Sequence, residues 1–432
     1  MQLNKLGKIS GALAVASQVL LNPTVQAEED NTAAEWDYDT AIMYYGEGDN
    51  RVSALEGMFG ATQTNGDDQI LSLKLTVDSL TGASPNGAVP QNEAQTFTRP
   101  SGNGSYTVAP GDTPLDDTFQ DTRVQLNAGW TSPINRDWDW STGVHISKEY
   151  DYLSLGANIG FSRSLNQNNT VLTMGLGGYF DTIEPEGGIP EPLTAMVLRE
   201  DFASEAAYRE AFNATRGETS DTKTTTELNF GVSQVINRGL ITSLNYSFAQ
   251  VDGYLTDPFK LISVVDDEGA AQRHLYENRP DSRTKHALFW QTKAYLNGQV
   301  LDIGYRYMFD DWEIQSHTID FRYNYQFGSG HYLEPHLRFY RQSEADFYAP
   351  FLMEGESVPT YASADYRLGK MNTYTVGLKY GMLLNNSQEV SVRLEYYMQQ
   401  PEDAGFSAPG QLSGLDLYPD VQAVILQLNY HF

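Results

Sequence analysis

From about Trp36 onward the chain is a succession of segments, each of roughly ten or more residues, in which apolar and polar residues alternate. A period of two places successive side chains on opposite faces of a strand, so each segment reads as a strand with one apolar and one polar face. "TIDFRYNYQF", residues 318–327, is the clearest. Ile319, Phe321, Tyr323, Tyr325 and Phe327 share one face; Thr318, Asp320, Arg322, Asn324 and Gln326 share the other. "LDIGYRYMF" sets Leu301, Ile303, Tyr305, Tyr307 and Phe309 against Asp302, Gly304 and Arg306. "EVSVRLEYYMQ" sets Val390, Val392, Leu394, Tyr396 and Met398 against Ser391, Arg393, Glu395 and Gln399.

Soluble antiparallel sandwiches alternate too, and three further features separate the two cases. The chain carries 27 Tyr and 19 Phe despite a mean hydropathy of −0.44. These aromatics gather at segment ends, at Trp138 and Trp140, Tyr305 to Phe309 and Tyr323 to Phe327, as interfacial girdles require. The chain ends "VILQLNYHF", with Val424, Leu426, Leu428, Tyr430 and Phe432 on one face. That ending resembles the signal by which outer-membrane barrels engage the barrel assembly machinery, and it makes Phe432 the expected assembly signal.

The third feature is the sorting of the connections. Sixteen segments are visible, approximately 36–46, 51–63, 69–79, 120–132, 137–148, 151–164, 169–183 and 223–236 in the first half. The second half holds 239–252, 284–296, 299–309, 312–327, 331–343, 369–384, 389–399 and 418–432. Turns after even-numbered segments are all short, whereas the long connections, roughly 80–119, 184–222, 253–283, 344–368 and 400–417, all follow odd-numbered ones. A barrel with periplasmic termini sorts its loops in this way, and a sandwich has no reason to. The expected fold is therefore an all-β transmembrane antiparallel barrel of about 16 strands, with 14–18 as the range because the first two segments alternate poorly, and with long extracellular loops. A barrel of this size has an interior wide enough for water. Within 184–222, "EAAYREAF" behind Ser204 predicts a short helix with Tyr208 and Phe212 on one side and Gly217 closing it.

Residues 1–27 read as an export signal. Lys5 and Lys8 supply the positive start, Ile9 to Leu21 an apolar stretch, and Val25-Gln26-Ala27 a small-residue cleavage site. A single barrel domain then runs over 28–432, and removing Lys5 and Lys8 takes the net charge from −28 to −30. That balance argues against nucleic acid as a partner. The absence of cysteine excludes disulfides, covalent c-type haem and cysteine-ligated clusters. Placement in the outer membrane of a Gram-negative bacterium, with its lipids as the surroundings, follows from the export signal and the barrel pattern together.

With the apolar face toward lipid, the lumen receives Lys74, Lys293, Asp302, Arg306, Asp320, Arg322, Glu334, His336, Arg338, Lys379, Arg393 and Glu395. Both signs fall on neighbouring strands, which points to structural lining ahead of a dedicated selectivity filter. "VHIS" places His145 and Ser147 two apart on a strand, as in outer-membrane phospholipases. Those enzymes need the pair on the lipid-facing side, but Val144 and Ile146 take that side here, and Asn158 falls too far along to orient His145. No catalytic site and no metal site is expected, although "VVDDEG" has the composition of a weak Ca²⁺ loop. The expected function is a non-enzymatic pore or scaffold, with an outer-membrane hydrolase the remotest alternative.

"DSLTGASPNG", residues 78–87, reads two ways. It has the composition of a strand-to-loop turn. It also resembles the acceptor pattern of bacterial flavin transferases, in which Ser84 would carry FMN covalently through its phosphate and Asp78 and Thr81 would belong to the recognition sequence. Together with "RPDSRTKHALFWQTKAYL" and "DYRLGKMNTYTVGLKYG", the stretch resembles a bacterial family of uncharacterised, predicted outer-membrane β-barrels over essentially the whole mature chain. The resemblance implies flavin transferases and thioredoxin-like proteins as partners, and hence an envelope redox (electron-transfer) component as the alternative function.

Overall fold

The computed structural model describes residues 35–48, 51–384, 388–403 and 405–432, and for 117–119 the backbone only. The export signal assigned to 1–27 lies outside the described residues.

Alternation is converted into strands almost wherever the sequence shows it. The first eight strands are β1 (Glu35–Glu47), β2 (Ser53–Thr64), β3 (Ile70–Pro85), β4 (Gln95–Thr98), β5 (Ser105–Val108), β6 (Leu115–Asn135), β7 (Trp138–Lys148) and β8 (Tyr152–Leu165). Then come β9 (Thr170–Ile183), helix α1 (Glu205–Ala214), β10 (Asp221–Asn237), β11 (Leu240–Gly253), β12 (Leu261–Val265), β13 (Ala271–Tyr276) and β14 (Ser282–Leu296). The chain finishes with β15 (Gln299–Asp310), β16 (Gln315–Phe327), β17 (His331–Gln342), β18 (Phe351–Met353), β19 (Met371–Leu383), β20 (Glu389–Pro401) and β21 (Val421–His431).

Sixteen of these close into one antiparallel barrel in the order β1-β2-β3-β6-β7-β8-β9-β10-β11-β14-β15-β16-β17-β19-β20-β21, and β21 pairs back onto β1. The closing seam runs from Asp39 opposite His431 to Glu47 opposite Ala423. It is extended by reciprocal bonds, Tyr38 N–H to Phe432 O at 2.7 Å and Phe432 N–H to Tyr38 O at 2.9 Å. The Phe432 ring stacks on Tyr38 at 5.3 Å and on Tyr430 at 4.8 Å.

The outer face is apolar and open. Val77, Leu126, Ile146, Leu176, Leu244 and Leu394 are all exposed, and a contiguous exposed apolar belt of this kind is a lipid-facing surface. Trp36, Trp138, Tyr325, Phe327, Tyr380 and Phe432 ring the short-turn end; Tyr44, Phe180, Tyr305, Phe309, Tyr374 and Tyr396 ring the long-loop end.

Two local expectations change. β3 does not stop near residue 79 but runs to Pro85, and β6 begins at Leu115, because the two strands continue to pair above the rim. The extension carries a bulge between Gly82 and Ser84. Gly82 has φ 131°, and a Cβ there would stand 2.4 Å from Arg51 O, so only glycine fits. The helix starts where expected, with Ser204 Oγ accepting from Ala207 N–H at 3.2 Å. It ends at Ala214 with Thr215 as its cap, and Gly217 instead bonds Ile189 O across the loop.

The long loops do not stand apart. Leu261 N–H bonds Asn86 O at 2.7 Å, Glu354 N–H bonds Val265 O at 2.7 Å and Gln411 N–H bonds Glu268 O at 2.9 Å. The loop carrying β12 leaves the barrel between its ninth and tenth strands; Asn86, Glu354 and Gln411 lie in loops that leave between the third and fourth, the thirteenth and fourteenth, and the fifteenth and sixteenth. Contacts between loops six strands apart on a ring of sixteen must cross the mouth. The loops therefore form a cap over the outer end. All five residues of β12 are buried, between β13 and the parallel β18. Around it pack apolar clusters made of loop residues, among them Ala88, Phe97, Val108, Leu261 and Tyr276, and Val89, Val265, Phe351 and Leu412. Helix α1 buries Tyr208 and Phe212 in the cap, with Tyr208 Oη donating to Gly102 O at 2.9 Å.

Because Phe432 is the last link of the closing seam, Phe432→Asp should lower the yield of heat-modifiable barrel in outer-membrane fractions several-fold. A normal yield in those fractions would remove the assembly role of this residue.

Candidate functional site

The polar inner face and the underside of the cap enclose the site. On β14 to β20 the strand registers align one row of inward positions: Lys293, Asp302, Arg322, His336, Gly377 and Glu395. His336 Nδ1 meets Glu395 Oε1 at 2.8 Å across Gly377, where a Cβ would approach Glu395 Cγ to 2.7 Å. The glycine is what allows this bridge. His336 Nε2 meets Asp320 Oδ2 at 3.0 Å, Arg322 reaches Asp320 at 3.4 Å, and Lys293 reaches Asp302 at 3.8 Å. Arg393 lies between Glu334 at 3.6 Å and Glu395 at 3.4 Å, and Lys379 lies 3.7 Å from Glu389. Arg306 and Arg338 face inward with no ion pair within 4.0 Å among the described residues. The two signs expected on neighbouring strands thus pair across them and brace the wall.

Toward the cap, a chamber of about 350 Å³ is bounded by β6 to β11, β14 and the cap residues Leu255, Arg279 and Trp312. Several of its charges are spoken for. Arg123 pairs with Asp78 at 2.7 Å, Lys223 with Asp181 at 3.3 Å, and Arg283 binds Asp310 while lying over the Trp312 ring at 4.3 Å. None of Arg123, Asp181, Lys223, Glu227, Arg283 or Lys285 is among the residues singled out from sequence. Alternation alone puts each inward, but only the cap turns that part of the lumen into a bounded chamber.

His145 and Ser147 also line the chamber. His145 Nδ1 lies 2.8 Å from Asn127 Oδ1, on the strand opposite to the one that carries Asn158. Asn158 stands across from Gly143, two positions nearer His145 than the sequence register places it, and Gly156 is the residue opposite His145. The histidine is oriented by Asn127, and no hydrogen bond joins it to Ser147 among the described residues.

A latch of mostly buried charges joins two loops of the cap, residues 254–281 and 343–370. Arg279 approaches Glu277 at 2.6 Å and Asp365 at 2.8 Å, Arg367 holds Asp365 and reaches Asp257 at 2.6 Å, and Ser363 donates to Glu277. Burial pushes the Glu277 carboxyl up to about 7; Arg279 pulls it down, while Asp257 and Asp365 push it further up. Asp365 moves the other way: burial opposes ionisation, but Arg367 and Arg279 hold it well below the usual carboxylate range. His274, beneath β12, is pushed down to about 4 by burial, so its ring is neutral in the cap.

The flavin-acceptor pattern lies at the cap's edge. Asp78 is buried and committed to Arg123, and Thr81 is exposed with its hydroxyl 3.2 Å from Ser53 Oγ. Ser84 is half-buried in the paired end of β3, and Lys260 Nζ donates to its Oγ at 3.4 Å and to Pro85 O. The neighbouring recess, lined by Arg51, Pro85, Gly87, Tyr348 and Tyr366, holds about 60 Å³, the share of about two waters. A phosphoester on Ser84 would lie beside the Lys260 ammonium. In "VVDDEG", Asp266 accepts from Ala270 N–H at 2.8 Å and from Gln272 Nε2 at 2.6 Å, so that carboxylate shapes its own turn. Elsewhere, carboxylate oxygens of Asp121, Glu149 and Asp151 come within 4.8 Å of one another at the outer rim. Burial and the Asp121 charge push the Glu149 carboxyl up to about 7.

Among solved structures, the ferric enterobactin receptor of Pseudomonas aeruginosa is similar at 9% identity and a TM-score of 0.43, over 92% of this chain and 60% of that one. A bacterial polysaccharide outer membrane secretin is similar at 9% identity and a TM-score of 0.43, over 94% of this chain and 100% of that one. The outer membrane protein opdK of Pseudomonas aeruginosa follows at 10% identity and a TM-score of 0.40, over 93% and 99%. The chain thus spans about three-fifths of the length of the first of these. Nothing about a solute carries over from likeness at this level. No curated protein matches the chain in sequence. The family is shown independently of these barrels: over residues 10–432 the chain matches, and so belongs to, the family described as "Protein of unknown function (DUF3570)".

Proposed function

We propose that this protein is an outer-membrane pore of a Gram-negative cell, held shut at its outer mouth by a cap made from its own loops. The observation that carries the reading is the crossing of the mouth by loops from opposite sides of the ring, above a wall whose inward face is polar and charged. A scaffold needs no polar wall of sixteen strands, and a permanently open porin needs no apolar core among its loops. The latch is the element that must yield for solute to pass.

Arg279 is the member of the latch that holds both Glu277 and Asp365, each with a fully buried side chain. Removing one partner of a buried pair costs about 3–5 kcal/mol. Arg279→Gln should therefore convert rare, brief conductance steps in planar bilayers into frequent ones. If neither the native protein nor this variant conducts at any voltage while both remain heat-modifiable, the pore gives way to a scaffold.

The latch also has a pH sign. Glu277 has a folded value, about 7, above its ordinary 4.5, so the folded cap binds the proton more tightly than the opened one. Its contribution is full below the ordinary value and is lost as pH rises toward 7. Protease cleavage within 255–281, normalised to an unstructured peptide, should increase between about pH 5 and about pH 7.5. Glu277→Gln should flatten that dependence; an unchanged slope would assign it to another group.

A second reading, favoured by the buried Lys260 ammonium beside Ser84, makes the protein a flavinylated component of an envelope redox system. FMN held at Ser84 would supply one- and two-electron chemistry that the side chains lack, with a flavin transferase and thioredoxin-like proteins as partners. Because Ser84 is strand-paired in the barrel, attachment belongs to the chain before it folds. The intact mass of protein from its native host should then exceed that of the unmodified chain by one FMN moiety, and the increment should vanish in Ser84→Ala. An unmodified mass from cells with active transferase leaves residues 78–87 as a strand end.

A further inference from the structure

Eight charged residues line the chamber beneath the cap. Arg123, Asp181, Lys223, Arg279 and Arg283 are ion-paired. Glu149 shares a hydrogen bond with Asp121 at the rim. Glu227 and Lys285 remain: neither side chain makes a hydrogen bond or a contact ion pair to another of the described residues, and each is the other's opposite charge. Both face inward, since Phe230 and Val232 on β10 and Leu288 and Trp290 on β14 take the lipid side.

Their placement is specific. Glu227 stands opposite Ala249 on β11, and Ala249 stands opposite Lys285 on β14, so the two charges occupy one row with a methyl group between them. Two strand spacings separate their backbones by about 9.6 Å. Lys285 is also directly opposite Asp310, the carboxylate that could neutralise it, but Arg283 occupies that oxygen through two nitrogens. On the other side, Gly177 stands opposite Glu227 and has no atom closer than 3.8 Å to an added Cβ, so the wall there is low and open. An anion and a cation that attract each other without touching, set over small residues, face a cavity of about 350 Å³.

We infer that the chamber is a binding site for a small zwitterion of the amino-acid class, its carboxylate on Lys285 and its ammonium on Glu227. A singly charged solute would satisfy one residue and leave the other unpaired beside it, which is how a site built for two charges rejects partial matches. The inference rests on the pore reading, because it names the solute that would wait beneath the cap.

Binding is measured without a bilayer, so the two claims fail separately. Purified full-length protein in detergent micelles is titrated calorimetrically with L-alanine, acetate and ethylamine. L-Alanine should bind, and the two single-charge analogues should bind about tenfold or more weakly. Glu227→Gln and Lys285→Gln should each cost a similar factor, and the exchanged pair Glu227→Lys with Lys285→Glu should restore binding, with the solute reversed. Ala249→Met keeps both charges, fills the gap between them and should abolish binding. Heat-modifiability confirms that each variant is folded. Equal binding of alanine and acetate, no binding by the native protein, or full binding by the folded Ala249→Met variant overturns the inference, whatever the conductance experiments give.

Discussion

A strand placed in hydrocarbon has no water to satisfy its peptide groups, so every strand must have a partner on both sides and the sheet must close. The rest of this structure depends on the last of those pairings, between β21 and β1. It fixes the strand number at sixteen and with it a lumen too wide to be filled by wall side chains alone. It also sets which loops face one another across the mouth. The seam ends in the reciprocal Tyr38–Phe432 bonds and their stacked rings, in the aromatic girdle where a chain end can be anchored at the interface.

A wide lumen leaves its outer end to the loops, and these solve the problem as a soluble protein would. They bury β12 completely, share apolar clusters and join their ends through ion pairs. Buried charges are a poor source of net stability, but removing one partner of such a pair is costly because the other is left buried and uncompensated. Glu277 and Asp365, shifted in opposite directions within the same cluster, show how finely the charge balance there is drawn.

The wall below divides into two kinds of surface. Where Gly377 lets His336 reach Glu395, a row of charges on β14 to β20 is drawn together. Nearer the cap, Gly177 and Ala249 leave Glu227 on β10 and Lys285 on β14 apart. Small residues serve both ends, and the outcome depends on whether a long side chain from a neighbouring strand crosses the gap.

The period of two gave, without any structure, which face of each strand meets lipid, a strand number of about 16 within a range of 14–18, and which connections are long. These are local properties: a side chain's face follows from its parity in the strand, and Leu126, Leu176 and Leu394 all lie where parity puts them. The start of α1 at Ser204 was legible for the same reason, whereas its end at Thr215 and the extension of β3 to Pro85 were set by partners distant in sequence. Parity also says that Arg283, Lys285 and Asp310 point inward, but not that Arg283 and not Lys285 makes the contact with the aspartate. That choice depends on cross-strand register and side-chain reach. The cap lay furthest from view. "LISVV" reads as a short apolar run in a long loop, and its burial exists only because barrel closure brings loops from opposite sides of the ring over one another.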